Sequence, residues 1–243
     1  MGGYERNSLT PKDLRRKGCL LFLILIVTAV VCRYWIDIPV ARWCWMQQHN
    51  HEASYIVQKF YSSVVHEFLV LAEVFGNFVG AVIAAVLILE LDRRHRFRFF
   101  RLFTAALLAG LLVNIVKLFI IRRRPKGIPF MEPESIQQYD TLLIDWTPWT
   151  SAIKSIDCSF PSGHTATAFA VFVVLSFYYP QGKRVFLTLA ILAGIQRIVA
   201  CAHFPSDVIV GAIIGIFVGG ACTVFSPLSK MFNRWEGEKS KNE

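Results

Sequence analysis

The sequence predicts an all-α integral membrane protein: six transmembrane helices, an interfacial helix between the first and second spans, and an irregular outer loop between the third and fourth. Three observations carry this. Of 243 residues, 54% are hydrophobic and 14% aromatic, which is more apolar than an ordinary soluble fold. Apolar runs near the roughly 20 residues needed to cross a bilayer recur at about 18–35, 66–91, 102–121, 164–180, 185–202 and 207–226. The 26 Lys and Arg residues, which leave a net charge of +9, sit mostly beside these runs. The length suits one domain, 1–243, with 1–17 and 227–243 as cytoplasmic tails.

Taken in chain order, the first run follows Arg15-Arg16-Lys17 in the manner of a signal peptide. It continues into Arg33, Tyr34 and Trp35 rather than a small-residue cleavage site, so it reads as a retained span. Arg6 stands where a myristoylation site needs Ser or Thr, so no lipid anchor is expected. Residues 37–62 mix Trp43, Trp45, Tyr55 and Phe60 with Arg42, Gln47, His51 and Lys59, as a helix at the membrane interface would; a plain connecting loop is the alternative. In the second span, Glu67, Glu73 and Asn77 either line a pocket or bond between helices, as does Asn114 in the third. The recurrence of Gly76 and Gly80, and of Gly211, Gly215 and Gly219, reads as close helix packing. Residues 126–160 hold Pro129, Pro133 and Pro148 with Trp146 and Trp149, and read as an irregular outer loop.

Six spans put both termini on one side. Residues 1–17, 93–101, 183–184 and the segment after Pro227 carry sixteen of the 26 basic residues, so these are expected to be cytoplasmic. Arg122, Arg123, Arg124 and Lys126 then fall on the outer face, against the rule, and ask for another reason to exist. The basic balance suits orientation signals and anionic lipid head groups better than nucleic acid, which is not expected as a partner. Six scattered cysteines show no zinc-type pairing. No carboxylate cluster calls for a divalent metal, and no cofactor is expected.

Ionisable groups in or at the ends of spans are costly and mark candidate sites. Lys117 and Arg124 would face one way on a continuous helix, about 10 Å apart, before Pro125 closes it. Phe160-Pro161-Ser162-Gly163-His164 opens the fourth span, where free backbone amides favour phosphate and Gly163 permits close approach. Arg197, His203 and Asp207 bridge the last two spans; a histidine beside a carboxylate can be held in one tautomer, and an arginine can neutralise a phosphoryl oxygen. Each element alone also fits a plainer account. Lys117 can snorkel, the arginines can grip head groups, and Ser162, Ser206 or Asp207 can simply cap a helix.

Joined in order, Lys117 with Arg124-Pro125, Pro161-Ser162-Gly163-His164, and Arg197 with His203 and Asp207 resemble the tripartite signature of the type 2 phosphatidic acid phosphatase superfamily. The vanadium-dependent haloperoxidases, which are soluble, share that signature. Gln196 stands where the family usually has Ser. The resemblance covers Lys117 to Asp207 and implies that His203 is the nucleophile, Asp207 its orienting carboxylate, and His164 the acid and base. It implies that Lys117, Arg124, Arg197, Ser162 and Gly163 bind phosphate, and that hydrolysis needs no metal. The expected substrate is a membrane lipid phosphate, with undecaprenyl diphosphate, phosphatidylglycerol phosphate and phosphatidic acid as candidates. The alternatives are a lipid phosphotransferase with the same site and a transporter or scramblase that does not hydrolyse. Short loops suggest a bacterial inner membrane with the site facing the periplasm. Cys158 and Cys201 both fall near the site, close enough in the reading to raise a disulfide.

Overall fold

A computed structural model describes residues 11–49, 66–92, 97–130, 143–144 and 158–240. Helix α1 (Pro11–Val31) runs through a π-helical turn, Cys32–Ile36, directly into α2 (Asp37–His49). No break occurs near residue 35. The stretch Gly18–Gln48 is one apolar helix of 31 residues, and the charge that would have ended it, Asp37, is fully buried against partners from elsewhere in the chain. The first part of the expected interfacial segment is therefore a continuation of the first helix; residues 50–62 lie outside the described residues. Leu20, Leu23, Ile24 and Val27 face outward from α1, more than half exposed, as side chains do where lipid replaces water.

The second apolar run is bent. Helix α3 (His66–Glu73) ends in a 3-10 turn, Val74–Gly76, and α4 (Phe78–Leu91) begins after Asn77, at 73° to the first piece. Asn77 leaves helical geometry and caps α4, its side chain accepting from Gly80 N at 3.0 Å. A Cβ on Gly76 would lie 2.7 Å from the His164 carbonyl oxygen, so the bend brings bare backbone against the start of the fourth run.

Helix α5 (Arg98–Phe119) also departs from expectation. It stops at Phe119, where the β-branched pair Ile120–Ile121 forms strand β1, antiparallel to β2 (Leu143–Ile144). Lys117 is thus helical while Arg124 is not, and Pro125 opens a short 3-10 turn rather than closing the helix. The strand pairing gives the expected irregular outer segment some regular structure; residues 131–142 and 145–157 lie outside the described residues.

Helices α6 (Gly163–Tyr178), α7 (Lys183–Val199) and α8 (Pro205–Gly220) complete the bundle. α6 is central, its buried Ala166, Ala170, Val171 and Val174 meeting α5 and α8. The glycine spacing on α8 does what it suggested: a Cβ on Gly211 would sit 2.5 Å from Ser162 O, and one on Gly215 2.3 Å from Ala166 O. Lipid tails give helices no hydrophobic reason to associate, so close backbone packing supplies the attraction.

Residues after Pro227, read as a tail, form α9 (Pro227–Ser240), which docks on the bundle. The fully buried Arg101 bonds Asn233 Oδ1 at 2.8 Å and pairs with Glu236 at 3.1 Å. Trp235 packs edge-on to Phe97 and Phe100.

Helices occupy all six expected positions. Among the described residues three are long and apolar enough to cross a membrane, Gly18–Gln48, Arg98–Phe119 and Pro205–Phe225, or four if the bent pair is one span. The chain is a mostly helical membrane protein.

Candidate active site

The polar residues singled out from sequence converge where α5, α6 and α7 end or begin. A cavity of about 340 Å3 is lined by Lys117, Arg124, Gly163, His164, Arg197 and His203, together with Asn77 and Asn114. Its helices explain the convergence. Lys117 occupies the last turn of α5 and Arg197 the last turn of α7, while Gly163 and His164 open α6. Cations thus stand at two helix C-termini, where the macrodipole favours them, and an anion in the cavity would meet the amino end of a third helix. Arg124 reaches the same space from the extended segment after β1.

Ser162 and Asp207 stand behind the cavity wall rather than in it. Ser162 is fully buried and caps α6, accepting from Thr165 N at 3.4 Å and sharing a 2.8 Å hydrogen bond with Thr165 Oγ1. The plainer reading of that serine has direct geometric support. Asp207 is also fully buried, and its Oδ2 lies 3.9 Å from His203 Nδ1, outside hydrogen-bond range. That oxygen accepts from Phe204 N at 2.9 Å and from Ser159 Oγ. The ring of His203 instead meets the Ser159 carbonyl, 2.6 Å from Nδ1. A carbonyl only accepts, so Nδ1 carries the proton and the lone pair of the neutral ring lies on Nε2. Ser159 is itself fixed from the other side, its N–H donating to Arg122 O at 2.7 Å. Asp207 therefore supports His203 through Ser159.

His203 lies in the short connection between α7 and α8 and is 3% exposed. Burial holds its pKa well below the ordinary 6.5; Lys117, Arg197 and Arg124 push the same way, and the hydrogen bond to Ser159 opposes them. The imidazole is neutral at physiological pH.

Glu73 brings a carboxylate to this cationic space. It pairs with Arg197 Nη1 and lies 3.5 Å from His164 Nε2. Of the two readings the sequence left open, Glu73 takes the interhelical bond, reaching from α3 to Arg197 on α7, while Asn77 and Asn114 line the cavity. Lys117 and Arg124 make no side-chain hydrogen bond to any described residue. Among the described residues no group of three His, Cys, Asp or Glu side chains forms a metal cluster; the positive charge facing the cavity comes from Lys and Arg.

The sequence did not mark Ser159 or Asp37, and it marked Arg122 only as one of an outer basic cluster. Ser159 contributes a carbonyl, which has no side-chain signature. Arg122 and Asp37 are charges beside or within apolar runs, and that cost alone was a usable signal. Cys158 and Cys201 are both buried, and no disulfide joins them.

Three side-chain cations, two histidines and a helix amino end surround one cavity, an arrangement whose charge suits an anion. The comparisons with known proteins agree: the PAP2 superfamily model matches residues 98–230, more than half of the chain, and the chain belongs to that superfamily. It is 34% identical over 114 residues to a lipid A 1-phosphatase of Rhizobium etli, a match covering 47% of this chain and 44% of that protein. A lipid A 1-phosphatase of Porphyromonas gingivalis is 46% identical over 65 residues, 25% of this chain and 15% of the relative. Lipid phosphate phosphatase 1 of Arabidopsis thaliana is 30% identical over 134 residues, 49% of this chain and 41% of the relative. The chain thus spans less than half the length of the relatives it matches. No solved structure matches it.

Proposed function

We propose that the protein is a membrane lipid phosphatase that works through a phosphohistidine. The observation that carries this is the shared cavity, in which His203 and His164 face the same space as Lys117, Arg124 and Arg197. In the first step the Nε2 lone pair of His203 attacks phosphorus, an N–P bond forms, and the P–O bond to the lipid breaks as His164 protonates the departing oxygen. In the second step His164 takes a proton from water, the oxygen of that water attacks phosphorus, the N–P bond breaks with its electron pair returning to Nε2, and inorganic phosphate leaves with His203 neutral again. The three cations hold the non-bridging oxygens and stabilise the charge that develops, the role a metal ion plays elsewhere. Ser162 keeps the α6 turn in shape behind them.

A lipid substrate is supported by a second, apolar cavity of about 240 Å3 along α5. It is lined by Ala106, Leu107 and Leu111 and shares Gly110, Asn114 and Thr167 with the first. A head group in the polar cavity leaves its chain beside this apolar surface. Phosphatidic acid, phosphatidylglycerol phosphate, undecaprenyl diphosphate and the lipid A phosphates suggested by the relatives' names fit this description. Purified protein in detergent, offered these lipids with a chelator present, is expected to release inorganic phosphate from at least one. A strict need for added magnesium contradicts the metal-independent part, and release undiminished by His203→Ala removes the nucleophile.

Six membrane crossings, with both termini cytoplasmic and the cavity on the outer side of a bacterial inner membrane, complete the reading. It is supported by helices at the six expected positions, three or four of them apolar and long enough to span, and by the basic residues at the end opposite Lys117. Single cysteines introduced at Lys230 and Lys126 are expected to react with an impermeant maleimide from opposite sides of the membrane; labelling from one side rules this topology out.

A further inference from the structure

One buried charged cluster has no part in the chemistry above. Asp37, at the start of α2, lies outside the residues matched by the superfamily. Its carboxylate is fully buried and accepts from Arg122 Nη2 at 2.7 Å, Ser206 N at 2.9 Å and Ser206 Oγ. Arg122 is fully buried as well. Its other terminal nitrogen, Nη1, donates to Asp207 Oδ1 at 2.6 Å and to Ser206 Oγ at 2.9 Å. The guanidinium carbon sits 3.8 Å from the centre of the Phe204 ring. One guanidinium is thus divided between two carboxylates, and the second of these carboxylates supports the residue that holds His203.

The division is what gives the arrangement its geometry. A guanidinium can engage one carboxylate with both terminal nitrogens, and without a competitor that is its preferred mode. Asp37 occupies Nη2, so Asp207 receives Nη1 alone on Oδ1 and keeps Oδ2 for Ser159 Oγ and Phe204 N. With Asp37 neutralised, Arg122 is drawn toward two-point pairing with Asp207. Oδ2 then turns from Ser159, and the carbonyl that fixes Nδ1 of His203 loses its support. A lysine at position 122 is a single point charge without the fork needed to bridge both carboxylates.

We propose that Asp37 is a positioning residue for His203, acting through Arg122, Asp207 and Ser159 to hold the ring in its Nδ1-protonated, Nε2-attacking form. This rests on His203 being the nucleophile, and it makes the first helix part of the catalytic apparatus. The test uses the full chain in detergent, with short-chain phosphatidic acid as substrate and orthovanadate as a phosphate mimic.

Asp37→Asn and Arg122→Lys are each expected to lower kcat by about tenfold, with vanadate inhibition constants within about twofold of wild type. The double variant is expected to be no slower than the slower single, because both changes break one chain of contacts. Wild-type kcat in either single variant overturns the proposal, as do fully multiplicative losses in the double, or equal losses in kcat and vanadate affinity, which general loosening would give. If Asp37→Asn does not fold, Arg122→Lys carries the same kcat and vanadate comparison. The ring tautomer of His203, read by nitrogen-15 NMR, is independent of turnover. It is expected to be Nδ1-protonated in wild type and mixed in the variants. An unchanged single tautomer overturns the proposal, whereas absence of phosphate release from the wild-type protein with the tautomer change present counts against the phosphatase reading alone.

Discussion

Burial of His203 beside Lys117, Arg197 and Arg124 decides its charge state, and its charge state decides whether Nε2 keeps a free lone pair. Because the folded pKa lies below 6.5, the unfolded chain takes up this proton first as pH falls. This histidine therefore withdraws stability as pH drops through 6.5, and contributes nothing to the pH dependence well above it. Titration of the His203 ring by NMR, assigned by loss of its signal in His203→Asn, is expected to give a midpoint below 6.5; a midpoint at or above that value contradicts the burial argument. The residues of this cavity were legible in sequence because charge beside apolar runs is costly and has few reasons to persist. The support behind them was not. Asp37 and Arg122 are 85 positions apart, and nothing local in either stretch names the other as partner. The expected direct contact from Asp207 to His203 also fell short, since a three-residue gap fixes neighbourhood on a helix start and not which atom faces which ring.

Helix positions were readable from hydrophobic runs, and their ends were not. The first helix passes the expected boundary because Asp37 finds internal partners. The second bends because Asn77 caps a new helix, and the third stops early because Ile120 and Ile121 pair with a distant strand. The first and third of these outcomes depend on contacts between residues far apart in sequence, whereas the Asn77 cap is local. The glycine pattern, by contrast, could be read, since small residues at four-residue spacing in an apolar helix have packing as their main use. On α8 this gives a direct prediction. Gly215→Leu puts a side chain where a Cβ alone would be 2.3 Å from the Ala166 carbonyl oxygen, and is expected to destabilise the folded protein by about 2 kcal/mol. Thermal unfolding in detergent checks it: a lowered midpoint is expected, and an unchanged one means that α8 is not packed against α6 at this point.

At the scale of the molecule, two polar centres lie at opposite ends of α5. Arg101, with Asn233 and Glu236, is at one end and Lys117 at the other, sixteen residues or about 24 Å apart. That spacing is comparable with a bilayer's hydrocarbon thickness, so one bundle can present a docked helix to one surface and a cation-lined cavity to the other. The superfamily match begins with α5 and ends early in α9, yet Glu73 and Asp37 come from helices before it. The proposed mechanism requires His203 to carry the phosphoryl group between lipid and water. Rapid acid-free quenching of the protein with phosphorus-32-labelled phosphatidic acid, followed by peptide mapping, tests it most directly. The predicted result is base-stable, acid-labile label on the peptide containing His203, lost in His203→Ala and accumulating in a His164 variant slow to activate water. Phosphate release with no label on His203 at any quench time would contradict it.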